Sequence, residues 1–368
     1  MFRGPLLALA LLAFAPGASA QQADVIGGSG GALDIVPIVT GLETPWSFAF
    51  LPGGRMLITE RGGRLLFVDG GGAQAVAGVP DVVAQGQGGL LDVLVPRDFP
   101  ETREVYLTFS VAQGRGAGTA LARGRLSDDG DRLEGTETIF EIARGGSGGR
   151  HFGSRLVEAR DGTLFMTIGD RGDRPSAQDL SRHEGSVLRL TRDGAPAPGN
   201  PFADTPGAQP EIWSYGHRNP QGAALDGSGQ LWVHEHGARG GDEVNRVEKG
   251  SNYGWPVISY GRHYSGARIG EGQAKPGMEQ PVHYWDPSIA PSGLAIYSGR
   301  LWPAWEGDMF VGSLNSDFIS RVDAATLTEA ERLQSSATGR VRDIREGPSG
   351  ALWFLSERDG ALYRITPR

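Results

Sequence analysis

The chain of 368 residues has no cysteine. That excludes a disulfide scaffold, a thiolate zinc or iron–sulfur site and a cysteine nucleophile. It also has no basic excess: 35 Lys and Arg stand against 43 Asp and Glu, a formal net charge of −8. A chain without surplus cations cannot neutralise a phosphate backbone, so general nucleic-acid binding is excluded. Long apolar runs are missing too. The longest, at residues 6–14, falls far short of the ~20 residues a membrane-spanning helix needs, so no membrane insertion is expected. Helical periodicity is scarce as well, and Ala177 to His183 is the one stretch that suits a short helix. What the chain has in abundance is glycine, 58 residues, more than twice the usual share of roughly 7%. With 39% hydrophobic residues and eight Trp it is nevertheless built around a core, and a glycine-rich chain with a core points to an all-β fold with many tight turns.

The first twenty residues read as a signal peptide. Arg3 supplies the positive start, residues 6–14 the apolar segment, and Ala18-Ser19-Ala20 a small-residue cleavage site before Gln21. Export is therefore expected, and the bacterial periplasm suits an exported chain without cysteine. The glycines within 21–34 suggest a flexible lead-in, leaving 35–368 as one domain.

Within that domain six short apolar segments repeat, starting at Met56, Val105, Leu164, Leu231, Met309 and Leu352. Most follow a polar turn, such as Arg160-Asp161-Gly162 or Pro348-Ser349-Gly350, that is itself preceded by another apolar stretch. Strand, glycine turn, strand is the signature of antiparallel sheet. Their spacing, 43 to 78 residues, fits a four-stranded unit of roughly 40–50 residues plus insertions. The expected fold is a six-bladed β-propeller of four-stranded antiparallel blades, with the longest inserted loops between 164 and 309.

Polar residues concentrate in glycine-rich loops ahead of the blades. Gln85-Gly86-Gln87-Gly88-Gly89 precedes the second; residues 145–155, with His151 set among glycines, precede the third. An accessible His is the default general base, although a lone His is more often structural, and a phosphate cradle is disfavoured because no helix follows. Tyr215-Gly216-His217-Arg218-Asn219-Pro220 precedes the fourth blade, and Arg340 and Arg342, with Arg345, precede or open the sixth. Two arginines on one face could fork onto carboxylates or simply form surface salt bridges. His234 and His236 share a strand face, but no third His or Cys follows at zinc spacing, which favours packing in the core or against a ligand. Asp242-Glu243 in a glycine-rich loop offers hard oxygen ligands suited to calcium, or a solvated turn. In a propeller, loops ahead of the blades gather at one end of the channel and can form a single site.

Long ordered stretches then carry a family resemblance: Gly86-Gln87-Gly88-Gly89-Leu90-Leu91, His151-Phe152-Gly153-Ser154-Arg155-Leu156, Glu211-Ile212-Trp213-Ser214-Tyr215-Gly216-His217-Arg218-Asn219-Pro220, Glu235-His236-Gly237 and Asn252-Tyr253-Gly254-Trp255-Pro256. The chain resembles the soluble aldose sugar dehydrogenases, sorbosone dehydrogenase-like quinoproteins that use pyrroloquinoline quinone (PQQ) and calcium. The resemblance runs from Gly41 to Ile365 and implies the same six-bladed fold. It further implies that His151 is the base for the sugar's anomeric hydroxyl and that hydride passes from C1 to the quinone. Arg218 would stabilise the developing negative charge. Gln87, Asn219, Tyr264, Asn315, Arg340 and Arg342 would complete the cofactor site. One calcium would lie at the cofactor, held by main-chain oxygens of Gly237 and Ala238, and a second, structural, at Glu243 and Tyr253. Two departures stand out: Asn315 where relatives commonly carry Lys, and Ala238 where they carry Pro.

The expected function is a periplasmic quinoprotein that oxidises aldoses to lactones and passes electrons to a soluble or membrane acceptor, as a monomer or homodimer. Two other classes stay open on sequence alone: a calcium-dependent propeller lactonase or hydrolase, and a non-catalytic propeller that binds sugar or protein.

Overall fold

The computed structural model describes residues 24–70 and 72–368. The signal peptide read at 1–20 lies outside the described residues. The described chain is folded into six antiparallel sheets, each a blade. Blade 1 consists of Pro45–Phe50, Met56–Glu60, Arg64–Asp69 and Gly72–Val76, and blade 2 of Leu90–Leu94, Glu104–Gln113, Gly116–Leu126 and Leu133–Glu141. Blade 3 is built from Leu156–Glu158, Leu164–Ile168, Ser186–Leu190 and Ile212–Tyr215; blade 4 from Pro220–Leu225, Leu231–Glu235, Asp242–Arg246 and His283–Trp285. Pro291–Ile296, Met309–Ser313, Ile319–Val322 and Glu329–Leu333 form blade 5. Each of the six segments read from the sequence is the second strand of its blade. The first strands contact one another in sequence around a ring, and that of blade 6, Val341–Glu346, meets that of blade 1. The all-β six-bladed propeller is thus the observed fold.

Blade 6 departs from the four-stranded plan. To Val341–Glu346, Leu352–Ser356 and Ala361–Pro367 it adds Gly31–Val39 from the N-terminal end of the domain and, outside that, Asp24–Gly28. The lead-in expected to be flexible over 21–34 is therefore an ordered hairpin from residue 24 onward. The turn of this hairpin explains the order: Ser29 Oγ donates to Glu331 at 2.7 Å and accepts from Trp305 Nε1 and Arg321, tying the hairpin to blade 5. The helix expected over 177–183 is a single 3-10 turn at Arg174–Gln178, too short for helical periodicity to register.

Apolar faces of neighbouring blades pack against each other. Leu57, Phe67, Leu107 and Phe109 fill the space between blades 1 and 2; Trp305, Tyr297, Phe310 and Phe354 do so between blades 5 and 6. The channel itself is closed by buried charges. Arg155 reaches Asp92 at 3.0 Å and Asp343 at 3.2 Å, while Arg345 reaches the same two carboxylates at 2.8 and 3.0 Å. Two cations and two anions balance, as burial requires. Arg345, grouped with Arg340 and Arg342 by sequence, belongs to this plug. Trp46, Leu91 and Arg342 line a cavity above it, while Ser47, Asp92 and Asp343, one residue further along the same strands, join the plug.

Candidate functional site

Two kinds of loop converge on one end of the channel: those that enter first strands and those that connect second to third strands. They enclose a cavity in two continuous parts. The deeper, about 360 Å³, is lined by Gln87, Asn219, Asn315, Arg340 and Arg342 among others. The wider, about 770 Å³, opens outward past His151, Arg218, Gly237, Ala238 and Tyr264. Gln87, His236, Ala290 and Asn315 line both. Every residue expected for catalysis or cofactor binding therefore faces a single cavity, as do Gly237 and Ala238, whereas Glu243 and Tyr253 lie behind it in a separate small void.

His151 sits in left-handed backbone, φ 56°, in a tightly turned segment where Gly153 and Ser154 also have positive φ. Its N–H donates to Gln87 Oε1 at 2.7 Å, and its side chain is only 12% exposed. Nδ1 lies 2.6 Å from Asp170 Oδ1, while Asp170 also accepts from Gly172 N–H at 2.7 Å and from Trp255 Nε1–H at 2.8 Å. An ionised carboxylate is an acceptor only, so Nδ1 carries the proton and Nε2 keeps its lone pair. Burial pushes the imidazole below its ordinary pKa; Asp170 opposes this and the nearby Arg218 charge adds to it. The ring is thus neutral near pH 7. Burial alone would raise the Asp170 carboxyl, but its bond and charge interaction with His151, its backbone bond and Arg218 hold it below the usual range.

Arg218 is nearly buried, stacks 5.3 Å from the Trp255 ring and donates to the His236 carbonyl at 3.1 Å. Its Nε is buried without a partner among the described residues, a donor that a ligand in the cavity could satisfy. Arg340 and Arg342 both reach Glu357, at 3.4 and 2.9 Å. Burial would raise the Glu357 carboxyl, yet Arg342, Arg340 and Arg61 hold it low. Asn315 donates through Nδ2 to the Ser288 carbonyl at 3.0 Å and brings no charge. His234 and His236 are not a metal pair. His234 Nε2–H donates to the Gly293 carbonyl and His236 Nε2–H to that of Pro291, and burial pushes His234 down to about 3 and His236 well below its ordinary value.

The donor set behind the cavity suits a hard cation. Among the described residues no cluster of three or more His, Cys, Asp or Glu could hold a metal by side chains alone, so carbonyl oxygens are required. The 237–241 loop supplies them: a Cβ on Gly237 would stand 2.1 and 2.3 Å from the carbonyl oxygens of Gly240 and Gly241, so only glycine permits this crowding. Glu235 and Glu243 line a void of about 10 Å³, room for one small ion or water. Asn245 Nδ2 bridges them at 3.2 and 3.3 Å, and burial together with Glu235 pushes the Glu243 carboxyl well above its ordinary pKa. A divalent cation would relieve that repulsion. The Tyr253 hydroxyl donates to the Arg246 carbonyl at 2.6 Å and accepts from Glu248 N–H, which leaves its main-chain oxygen for such an ion. Asp242 is already spent: its carboxylate accepts from Gly237, Ser288, Ile289 and Ala290 and fixes two loops.

Comparison with known proteins gives this cavity its context. The family model described as Glucose / Sorbosone dehydrogenase matches residues 42–364. The chain belongs to the glucose/sorbosone dehydrogenase family. It is accordingly an oxidoreductase. It is 45% identical over 337 residues to the aldose sugar dehydrogenase YliI of Escherichia coli (strain K12), covering 89% of this chain and 91% of that protein. The crystal structure of the soluble aldose sugar dehydrogenase from Escherichia coli in the apo form superposes with TM-score 0.88 at 42% identity, covering 91% of this chain and all of that one. The PQQ-bound aldose sugar dehydrogenase from Streptomyces coelicolor matches with TM-score 0.76 at 28% identity, over 91% and 98% of the two chains.

Three residues of the site escaped the sequence reading: Arg61 and Glu357, which line the deep cavity, and Asp170, which stands behind His151. All three stand one or two residues beyond a second strand, in the turn to the third. His236 and Asn315 occupy the equivalent turns of blades 4 and 5. The signal was there, in Glu60-Arg61-Gly62, Gly169-Asp170-Arg171-Gly172 and Ser356-Glu357-Arg358, but a charged residue in a short polar turn between strands reads as a solvated hairpin turn.

Proposed function

We propose that the protein is a periplasmic, PQQ- and calcium-dependent aldose dehydrogenase that oxidises C1 of the sugar to the lactone. One observation carries the reading: a neutral histidine, oriented by a buried carboxylate, faces a cavity whose far wall is built of arginines. When bound, PQQ would supply the carbonyl carbon that takes hydride from C1, with calcium as Lewis acid. The chain's residues would do the rest. His151 Nε2 accepts the proton of the anomeric hydroxyl, and Asp170 stabilises the imidazolium that forms. Arg218 offers charge-assisted donors where negative charge develops. Gln87 fixes the His151 backbone, and Asn219 and Tyr264 border the ligand. Arg340, Arg342 and the uncharged Asn315 would meet the carboxylates of the cofactor. Main-chain oxygens of Gly237 and Ala238 would hold the first calcium, and Glu243 with the Tyr253 main chain the second.

The deciding assay uses cofactor-free protein, calcium, an aldose and a redox dye. Dye reduction that appears only when PQQ is added supports the proposal. Lactone hydrolysis without quinone would instead indicate a calcium-dependent hydrolase, and sugar binding with neither reaction a binding module. Electrons would leave for a soluble or membrane acceptor.

A further inference from the structure

We infer that Arg61 is a third anion-recognition residue of the deep cavity, completing with Arg340 and Arg342 a clamp for a polycarboxylate. The identity of that ligand as PQQ rests on the function proposed above; the clamp itself rests on the charges and topology of the cavity.

Arg61 is the first residue after the second strand of blade 1, and it lines the deep cavity. His236, Leu314 and Glu357 hold the equivalent position in blades 4, 5 and 6 and line the same cavity. The fold therefore aims this position at the ligand space four times over. Arg61 donates through one terminal nitrogen to the Gly86 carbonyl, next to Gln87, which leaves Nε and the other terminal nitrogen for a ligand. Among the described residues it forms no ion pair. Its neighbour Arg64, three residues on, bonds Glu60 at 2.5 Å and reaches Glu43 at 3.4 Å, so acids are within reach of this turn and Arg61 is simply not aimed at them.

The charge balance of the deep cavity then matters. Its lining includes three guanidinium groups, Arg61, Arg340 and Arg342, against one carboxylate, Glu357. In the channel plug just below, by contrast, two arginines meet two aspartates. The positive charge of Arg61 is felt by the rest of the lining: it disfavours the charged form of Arg342 and favours that of Glu357. Like charges gathered in a half-buried space are unfavourable unless an anion joins them. Two surplus positive charges match a ligand with at least two carboxylates, and planar forks are suited to that group.

The test is a binding titration at fixed calcium and several salt concentrations, on wild type, Arg61→Gln and Arg61→Lys. The probes are PQQ and benzene-1,3,5-tricarboxylate. Arg61→Gln should weaken PQQ binding about tenfold at low salt, in line with charge-assisted bonds, with a shallower salt dependence than wild type. Arg61→Lys should recover most of the affinity. Affinity within twofold of wild type in Arg61→Gln overturns the clamp. So does an equal, salt-independent loss in both variants, since that would mean Arg61 only holds the Gly86 loop. Wild type that binds the tricarboxylate in an Arg61-dependent way but ignores PQQ would keep the clamp and reject the cofactor assignment; wild type that binds neither overturns the clamp.

Discussion

Replacing Asp170 with Asn keeps the size of the side chain and removes what orients His151. Oδ1 of Asp170 faces His151 Nδ1 and the Gly172 N–H; Oδ2 faces the Trp255 indole N–H. An amide has one acceptor and one donor end, so either orientation sets an NH₂ against a donor. With NH₂ at the Oδ1 position it also donates to Nδ1, driving the proton to Nε2, and the ring can no longer accept the sugar proton. With NH₂ at the Oδ2 position the tautomer survives but the imidazolium loses its counter-charge. General-base catalysis contributes about 10²–10⁴-fold, so turnover at saturating cofactor should fall at least ~10²-fold, toward the level of His151→Ala. The charge-assisted bond lost contributes about 1.5–3 kcal/mol, and the melting temperature should drop with it. PQQ affinity should stay within a few-fold, since Asp170 is not among the residues lining the cavity. Dye-reduction kinetics across pH decide the matter. Wild type should lose activity as pH falls through a value below the ordinary histidine pKa of about 6.5, the direction set by burial. In Asp170→Asn any residual activity should hold to still lower pH, because the group that raises the His151 pKa is gone. Turnover within twofold of wild type with an unchanged pH profile would refute the pairing as the source of the base.

Other predictions follow from the same geometry. Asn315→Lys should tighten PQQ binding about tenfold at low salt, worth about 1.4 kcal/mol, because the position borders both parts of the cavity without charge; equal titration curves would show that the arginines already satisfy that carboxylate. Glu243→Gln should melt no lower than wild type without calcium, since it relieves repulsion with Glu235, yet should lose the calcium-induced rise in melting temperature. A normal calcium response in that variant would place the ion elsewhere. The buried His234, with its pKa pushed down to about 3, takes up its proton far more readily in the unfolded chain. Its contribution to stability is complete above the unfolded value and is lost as pH falls from about 6.5, reaching about 2 kcal/mol at pH 5. Urea unfolding of His234→Gln should accordingly show a smaller loss between pH 7 and 5 than wild type, and an identical loss would contradict this.

Blade number was legible because each blade repeats an apolar second strand behind a glycine turn, a pattern that insertions of different length do not erase. Loops ahead of first strands were legible for a similar reason: glycines isolate His151 and Gln87 from any periodic pattern. What connects them was not. His151 and Asp170 are 19 residues apart, on different loops of blade 3, and only the strand pairing of Leu156–Glu158 with Leu164–Ile168 brings those loops to one end. The N-terminal hairpin is not legible because glycine suits a flexible segment as well as a tightly packed turn. A Cβ on Gly30 would stand 2.6 Å from Trp305 and 2.7 Å from Trp302, so that glycine serves close packing of strand turn against indole. Composition cannot separate the two uses of glycine; the partner, in the loop before the second strand of blade 5, decides.

The proposed function stands or falls with PQQ binding in the cavity at the loop end of the channel. Calorimetric titration of the cofactor-free protein with PQQ, at saturating calcium, tests it most directly. Wild type should show one site per chain, lost or weakened at least a hundredfold in the Arg340→Ala/Arg342→Ala double variant. No saturable binding to wild type, or binding that the double variant retains unchanged, would contradict it.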